Sequence, residues 1–244
     1  VTGNVGRDVL PMLKLKDTLQ EYDYIGHFHT KKSKEADFWA GESWRKELIE
    51  MLVLPANSIL ANFDQREDLG LVIADIPSFF RFNKIVDAYN ENQIAPAMND
   101  LWQKMGMKKS IDFNALHTFV MSYGTYVWFK YDALKALFDL DLTDQDVPTE
   151  PLPQNSILHA IERMLIYIAW DKNYDFRISK NPVELTAFID NKLLNERGEA
   201  LPHTYVNFDH LGGIKGAVKY IFVGPARAVK YIVRRVCTKY LKIS

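Results

Sequence analysis

The chain has 244 residues, 48% of them apolar and 13% aromatic, which is ample for a packed core and excludes wholesale disorder. One cysteine, Cys237, excludes an internal disulfide framework and fits a reducing compartment, and no run of about 18 uncharged apolar residues offers a transmembrane helix. The net charge of −1 hides an asymmetry: residues 211–244 carry eight Lys or Arg and no Asp or Glu, leaving 22 basic against 31 acidic side chains, or −9, on residues 1–210.

The chain opens at Val1 without an initiator methionine or a visible signal peptide, and is expected to be a fragment whose upstream part is missing. Asn4-Val5-Gly6-Arg7-Asp8 reads as a turn feeding a helix over 8–22, with Asp8 as its N-cap and Pro11 in its first turn. Tyr22 to His29 reads as a buried strand ending in His27-Phe28-His29, followed by Thr30-Lys31-Lys32-Ser33 and a polar loop through Gly41. Helices are expected at 42–53 and 56–65, and Leu69–Ala74 is a second buried strand bounded by Asp68 and Asp75. Residues 82–106 read as a helix broken near Pro96; Leu116–Phe129 as two strand segments or one kinked strand around Gly124. A short helix at 132–139, an acidic loop at 140–153, a long helix over 155–171, a strand at 174–178 and a helix near 182–196 complete the body. Helices alternating with short buried strands predict an α/β fold with a mainly parallel sheet, in a domain of residues 1–210.

Residues 211–244 form a separate basic tail. Ile214, Val218, Ile221, Phe222, Val229, Ile232, Val233, Val236 and Tyr240 recur at helical spacing, with Lys219, Arg227, Lys230, Arg234 and Arg235 mostly on the other side and Pro225 kinking or dividing the helix. Such a basic amphipathic helix suits an anionic membrane surface, or else packs on the body as an ordinary terminal helix. Nucleic acid is not expected as a partner, because a phosphate-tracking surface carries polar or stacking groups where this helix is apolar.

Three polar clusters carry the candidate chemistry. His27 and His29, at i and i+2 on a strand, share a face. They read as a metal pair, as an anion site with Lys31 and Lys32, or as a capped strand end. The neighbouring lysines oppose a metal, and none is expected. Asn4, Gly6, Arg7 and Asp8 place free backbone N–H groups and a guanidinium at a helix start, where anions bind. His159, Glu162 and Arg163 fall on adjoining faces of one helical turn, giving an acid or base, an orienting carboxylate and a cation, or equally a structural Glu–Arg pair. Glu150 lies in a loop able to reach the same rim. The pairs Asp139/Asp141 and Asp144/Asp146 follow a helix rather than a buried strand and make poor metal sites.

Gly6-Arg7-Asp8-Val9-Leu10-Pro11, Tyr22-Asp23-Tyr24 through His29-Thr30-Lys31-Lys32-Ser33, Trp44-Arg45, Leu69-Gly70-Leu71-Val72, Tyr126-Val127-Trp128-Phe129 with Ala133-Leu134, and Leu158-His159-Ala160-Ile161-Glu162-Arg163 run in order over residues 3–179. In these segments the sequence resembles the rhamnan synthesis F protein family of bacterial polysaccharide glycosyltransferases. The resemblance implies transfer of a sugar, often L-rhamnose, from a nucleotide-diphosphate donor such as dTDP-L-rhamnose to a lipid-linked glycan. It also implies a GT-A-like nucleotide-diphospho-sugar transferase sheet, incomplete at the N-terminus because no base-binding strands precede Asn4. His27-Phe28-His29 would stand where such folds carry a metal-binding carboxylate pair. His27, His29, Lys31, Lys32 and Arg7 would then neutralise the leaving diphosphate without a cofactor. Glu162, His159 or Glu150 would deprotonate the acceptor, the first two lying in the more specific motif, while Arg163, Trp44 and Arg45 orient the site. The implied place of work is the cytoplasmic face of the plasma membrane, held by the tail. The competing readings are a non-catalytic binding or assembly module of polysaccharide synthesis and, third, a metal-dependent hydrolase.

Overall fold

The fully buried run Leu69–Ala74 is the strand around which the fold is built. The computed structural model describes residues 5–30, 38–77, 88–116, 119–153, 155–180 and 189–190, and beyond them positions 221, 222, 225, 226, 229 and 233. Its contacts divide the chain into two compact units, Val1–Pro202 and His203–Ser244. In the first, helices α1 (Val9–Leu13) and α2 (Lys16–Leu19) precede β1 (Ile25–His27); α3 (Phe38–Leu52) and α4 (Ala56–Gln65) lead to β2 (Leu69–Ala74); α5 (Ala88–Lys104) leads to β3 (Val127–Phe129). Then come α6 (Tyr131–Phe138), α7 (Ile157–Asp171), β4 (Asp175–Ser179) and β5 (Ile189–Asp190).

The described strands form one sheet in the order β1-β3-β2-β4-β5. Among them only β2 and β4 pair in parallel; β1 with β3, β3 with β2 and β4 with β5 are antiparallel. The mainly parallel sheet expected from sequence is therefore corrected to a mixed one. A strand covered on both faces is apolar throughout whichever way it runs, so composition carried no sign of the reversal at β3.

Side chains from the two sheet faces feed separate cores. Leu71, Ile73, Val127, Phe129, Phe176 and Ile178 meet α1, α5, α6 and α7 on one side. Leu69, Val72, Ala74 and Tyr126 meet α3 and α4 on the other. Leu69 and Leu71 face opposite sides because the β2–β4 register shifts between them, at Gly70. Helix α7, ten of whose fifteen residues are buried, lies against the sheet and starts at Ser156, whose hydroxyl accepts the His159 N–H. Each large side chain buried here contributes about 1.5–3 kcal/mol.

Other expectations are revised. The helix over 8–22 is two short helices, and Asp8 makes no side-chain cap bond. Helix α5 continues through Pro96, at a local cost of about 3 kcal/mol, because buried Ile94, Ala95, Met98 and Leu101 hold it to the core. Of 116–129 only Val127–Phe129 is strand among the described residues; Tyr123–Thr125 is a 3₁₀ turn. Within the helix expected near 182–196, Ile189–Asp190 is strand, where pairing with β4 overrides local propensity, and the remainder lies outside the described residues.

Candidate functional site

The turn Ser122–Tyr126, entering β3 beside the carboxyl end of β1, is where the polar clusters meet. Gly124 and Thr125 both have left-handed backbones, φ 63° and 56°. For a β-branched threonine this conformation is strained by roughly 1–3 kcal/mol and persists only where its surroundings impose it. Segments distant in sequence bond to this turn. The Gly124 N–H donates to Glu162 Oε1 at 2.6 Å, and the Ser122 hydroxyl to the Glu162 carbonyl at 3.1 Å. His29 Nε2 lies 2.7 Å from the Gly124 carbonyl and His27 Nδ1 2.8 Å from the Thr125 carbonyl. The Thr125 hydroxyl donates to the Asp8 carboxylate, and the Tyr126 hydroxyl to the His29 carbonyl. From α3, Trp44 stands over Gly124, where an added Cβ would sit 3.3 Å from its Cζ2.

These contacts fix the histidine tautomers. A carbonyl oxygen only accepts, so His27 carries its hydrogen on Nδ1 and His29 on Nε2. His29 Nε2 also lies 3.9 Å from Asp8 Oδ2, and its Nδ1 is buried with no hydrogen-bond partner among the described residues. The second nitrogen of each ring is an acceptor in the neutral form and a donor only as imidazolium.

The third cluster extends from the turn along α7. Arg163 Nη1 reaches Glu162 Oε2 at 3.5 Å and the His159 carbonyl at 3.1 Å, while His159 Nδ1 faces the Ser156 hydroxyl at 3.0 Å and the Pro153 carbonyl at 3.1 Å. On the other flank, Arg7 forms a two-pronged pair with Glu150, Nε–Oε1 2.8 Å and Nη2–Oε2 3.2 Å. Glu150 is 55% exposed and Glu162 only 17%, so the first carboxylate faces solvent while the second braces the turn. Burial holds the Tyr126 phenol above its ordinary range and thus protonated; its bond to the His29 carbonyl and the Arg45 charge oppose this, and Asp8 adds to it.

Gly6, Arg7, Asp8, His27, His29, Trp44, Arg45, Glu150, His159, Glu162 and Arg163 are thus brought into one connected rim. Asn4, Lys31, Lys32, Lys219, Arg227, Lys230, Arg234 and Arg235 lie outside the described residues. Asp139 and Asp141 pair with Lys16, Asp144 with Lys14, and Asp146 with Thr143, so the acidic loop is held by surface contacts. Among the described residues no group of three or more His, Cys, Asp or Glu is placed to hold a metal ion.

Sequence reasoning gave no site role to Ser122, Thr125 or Tyr126, which lay in a stretch read as strand, and it read Asp75 only as the end of a strand. That buried residue extends β2: its N–H donates to the Ser179 carbonyl at 2.9 Å, its Oδ1 accepts the Ile76 N–H at 2.8 Å, and Lys180 Nζ stands 3.8 Å from Oδ2. Ile73 and His27 both pair with Val127, so Asp75 and His29, each two residues further on, lie level at this edge, about 10 Å or two strand spacings apart. The usable signal was an acid ending a fully apolar strand.

No curated protein and no solved structure matches the chain. The family model of rhamnan synthesis protein F matches residues 1–174, a span that contains every described rim residue except Ser179 and Lys180, the partners of Asp75. With that match over most of its length, and with its motif segments joined at one turn, the chain belongs to the rhamnan synthesis protein F family and takes part in rhamnan synthesis.

Proposed function

We propose that this chain transfers a sugar, L-rhamnose, from a nucleotide-diphosphate donor to a lipid-linked glycan, using the rim around Ser122–Tyr126. The observation that carries the reading is the convergence of three sequence-distant polar clusters on one strained turn at the carboxyl end of β1. In open α/β sheets this edge is where ligands bind. The donor diphosphate is held by Lys31, Lys32, Arg7 and His27, while His29, whose Nδ1 is buried and whose Nε2 bonds the Gly124 carbonyl, supports the turn. The exposed Arg7–Glu150 pair is worth only about 0–1 kcal/mol, so an incoming diphosphate draws the guanidinium to itself and releases Glu150. Glu150 then accepts the acceptor hydroxyl proton as that oxygen bonds to the sugar's anomeric carbon; the bond from that carbon to the diphosphate breaks, and nucleoside diphosphate leaves. Glu162 and Arg163 are positioning residues, because they act by holding Gly124. His159 is the second candidate base.

The test is isothermal titration with dTDP-L-rhamnose, with and without magnesium. Binding that is indifferent to magnesium, lost in Lys31→Ala/Lys32→Ala and kept in Glu150→Gln with turnover abolished is the expected pattern. Absence of binding by the folded protein withdraws the catalytic reading for this chain. One observation favours the second reading, a non-catalytic binding or assembly module: Arg7, Glu150, Glu162 and Arg163 already satisfy one another within the protein. Donor binding without turnover, in the presence of acceptor, selects that reading.

A further inference from the structure

In the unit His203–Ser244 the described positions Ile221, Phe222, Pro225, Ala226, Val229 and Val233 are all helical and all exposed. Their spacing along the sequence, taken at 100° per residue, corresponds to a single arc of about 140°. Ile221, Phe222, Val229 and Val233 are 65%, 74%, 60% and 54% exposed, and the arc holds no charged or polar residue among the described positions. A large apolar stripe of this kind on a water-facing helix marks a surface that something covers.

Charge selects among occupants from outside the chain. The eight Lys or Arg of residues 211–244 have no acid in the segment to neutralise them. The same helical spacing, counted along the sequence, puts Lys219, Arg227, Lys230, Arg234, Arg235 and Lys242 outside the apolar arc, and Lys215 and Lys239 within it. A second copy of this helix would bring like charges together around the shared stripe. A nucleic acid would satisfy the charge and leave the stripe in water. A bilayer with anionic headgroups satisfies both.

We propose that this segment lies in the interfacial plane of an anionic membrane, with Ile221, Phe222, Val229 and Val233 among the acyl chains and the basic residues outside the arc on headgroup phosphates. Each basic residue at such a surface raises partitioning roughly fivefold. The inference stands apart from the transfer reaction proposed above: donor binding is measured without lipid, and lipid binding without donor.

The experiment is co-sedimentation of the whole chain with vesicles of phosphatidylcholine and phosphatidylserine (3:1) against phosphatidylcholine alone. The chain is expected to pellet with the anionic vesicles at least tenfold more strongly, and to be released in 0.5 M salt. Ile221→Asp/Phe222→Asp should weaken the anionic binding at least tenfold with the circular dichroism spectrum unchanged. Should that variant fail to fold, Lys230→Glu/Arg234→Glu, which keeps the stripe, should show the same loss. The proposal is overturned if the chain stays in the supernatant, if neutral and anionic vesicles pellet it equally, or if the stripe substitution only converts a dimer to a monomer.

Discussion

The two edges of the sheet differ in what holds their charged residues. At the edge opposite the histidine rim, a cavity of about 400 Å³ is lined by Lys104, Asp132, Lys135, Asp139, Lys172 and Tyr174. The charges there have local explanations. Lys104 ends α5 and Lys172 caps α7 at its C-terminus, where cations offset the helix dipole, while Lys135 and Asp139 pair four residues apart on α6. At the rim the polar groups come from chain segments far apart in sequence and maintain a strained backbone turn. An opening is a weaker sign of function than polar groups held where the chain would not place them by itself.

The largest effect expected is that of Glu162→Ala. It strips the acceptor from the Gly124 N–H and leaves Arg163 without that carboxylate, a loss of about 2–3 kcal/mol by urea unfolding. A loss under about 0.5 kcal/mol would place the turn's support elsewhere. Next is Gly124→Ala, which puts a side chain in a left-handed conformation 3.3 Å from Trp44 and should cost about 1–2 kcal/mol. Donor affinity should fall in parallel, because both histidines rest on this turn. Lys104→Ala/Lys172→Ala should leave dTDP-L-rhamnose titration within about twofold, since exposed lysines act weakly on a distant site; a collapse of binding would move the site to the other edge. The smallest effect is on acid stability. The bond from Lys135, followed by that from Lys16, holds Asp139 below the ordinary carboxylate range. Its contribution is therefore complete above about pH 4 and lost as the pH falls through the lowered value. Because the group is 43% exposed, the contribution is at most about 0.5 kcal/mol. Asp139→Asn should flatten the fall in unfolding free energy, measured by urea titration between pH 5 and 3, by that much and leave donor binding alone.

Much of the fold was legible where apolar pattern and end signals agreed. Leu69–Ala74 and the helix over 56–65 have the bounds their sequences suggest, and α7 begins two residues later than its periodicity allowed, after a serine cap. The three clusters were each visible and were expected to share one rim, but nothing in the sequence showed the turn that joins them. Their meeting depends on β3 running against its neighbours, which delivers Gly124 and Thr125 to the end of β1. Likewise Asp8 looked like a cap because a helix begins directly after it; its carboxylate instead serves Thr125, a partner 117 residues away. The family resemblance supplied what periodicity could not, namely the context of rhamnan synthesis.

The span of these contacts has a consequence for how the protein comes into being. Glu162 to Gly124 bridges 38 residues, His29 to Gly124 95, His27 to Thr125 98 and Arg7 to Glu150 143. Contacts so far apart in sequence form late and slowly, after loop closure has been overcome. During synthesis the rim is therefore completed last by α7: until that helix has left the ribosome, the Gly124 N–H and the Ser122 hydroxyl lack their Glu162 acceptors. A nascent or truncated chain ending before Glu162 would carry the histidines and the turn yet lack the carboxylate that braces it, so the strained turn is secured only in the finished fold.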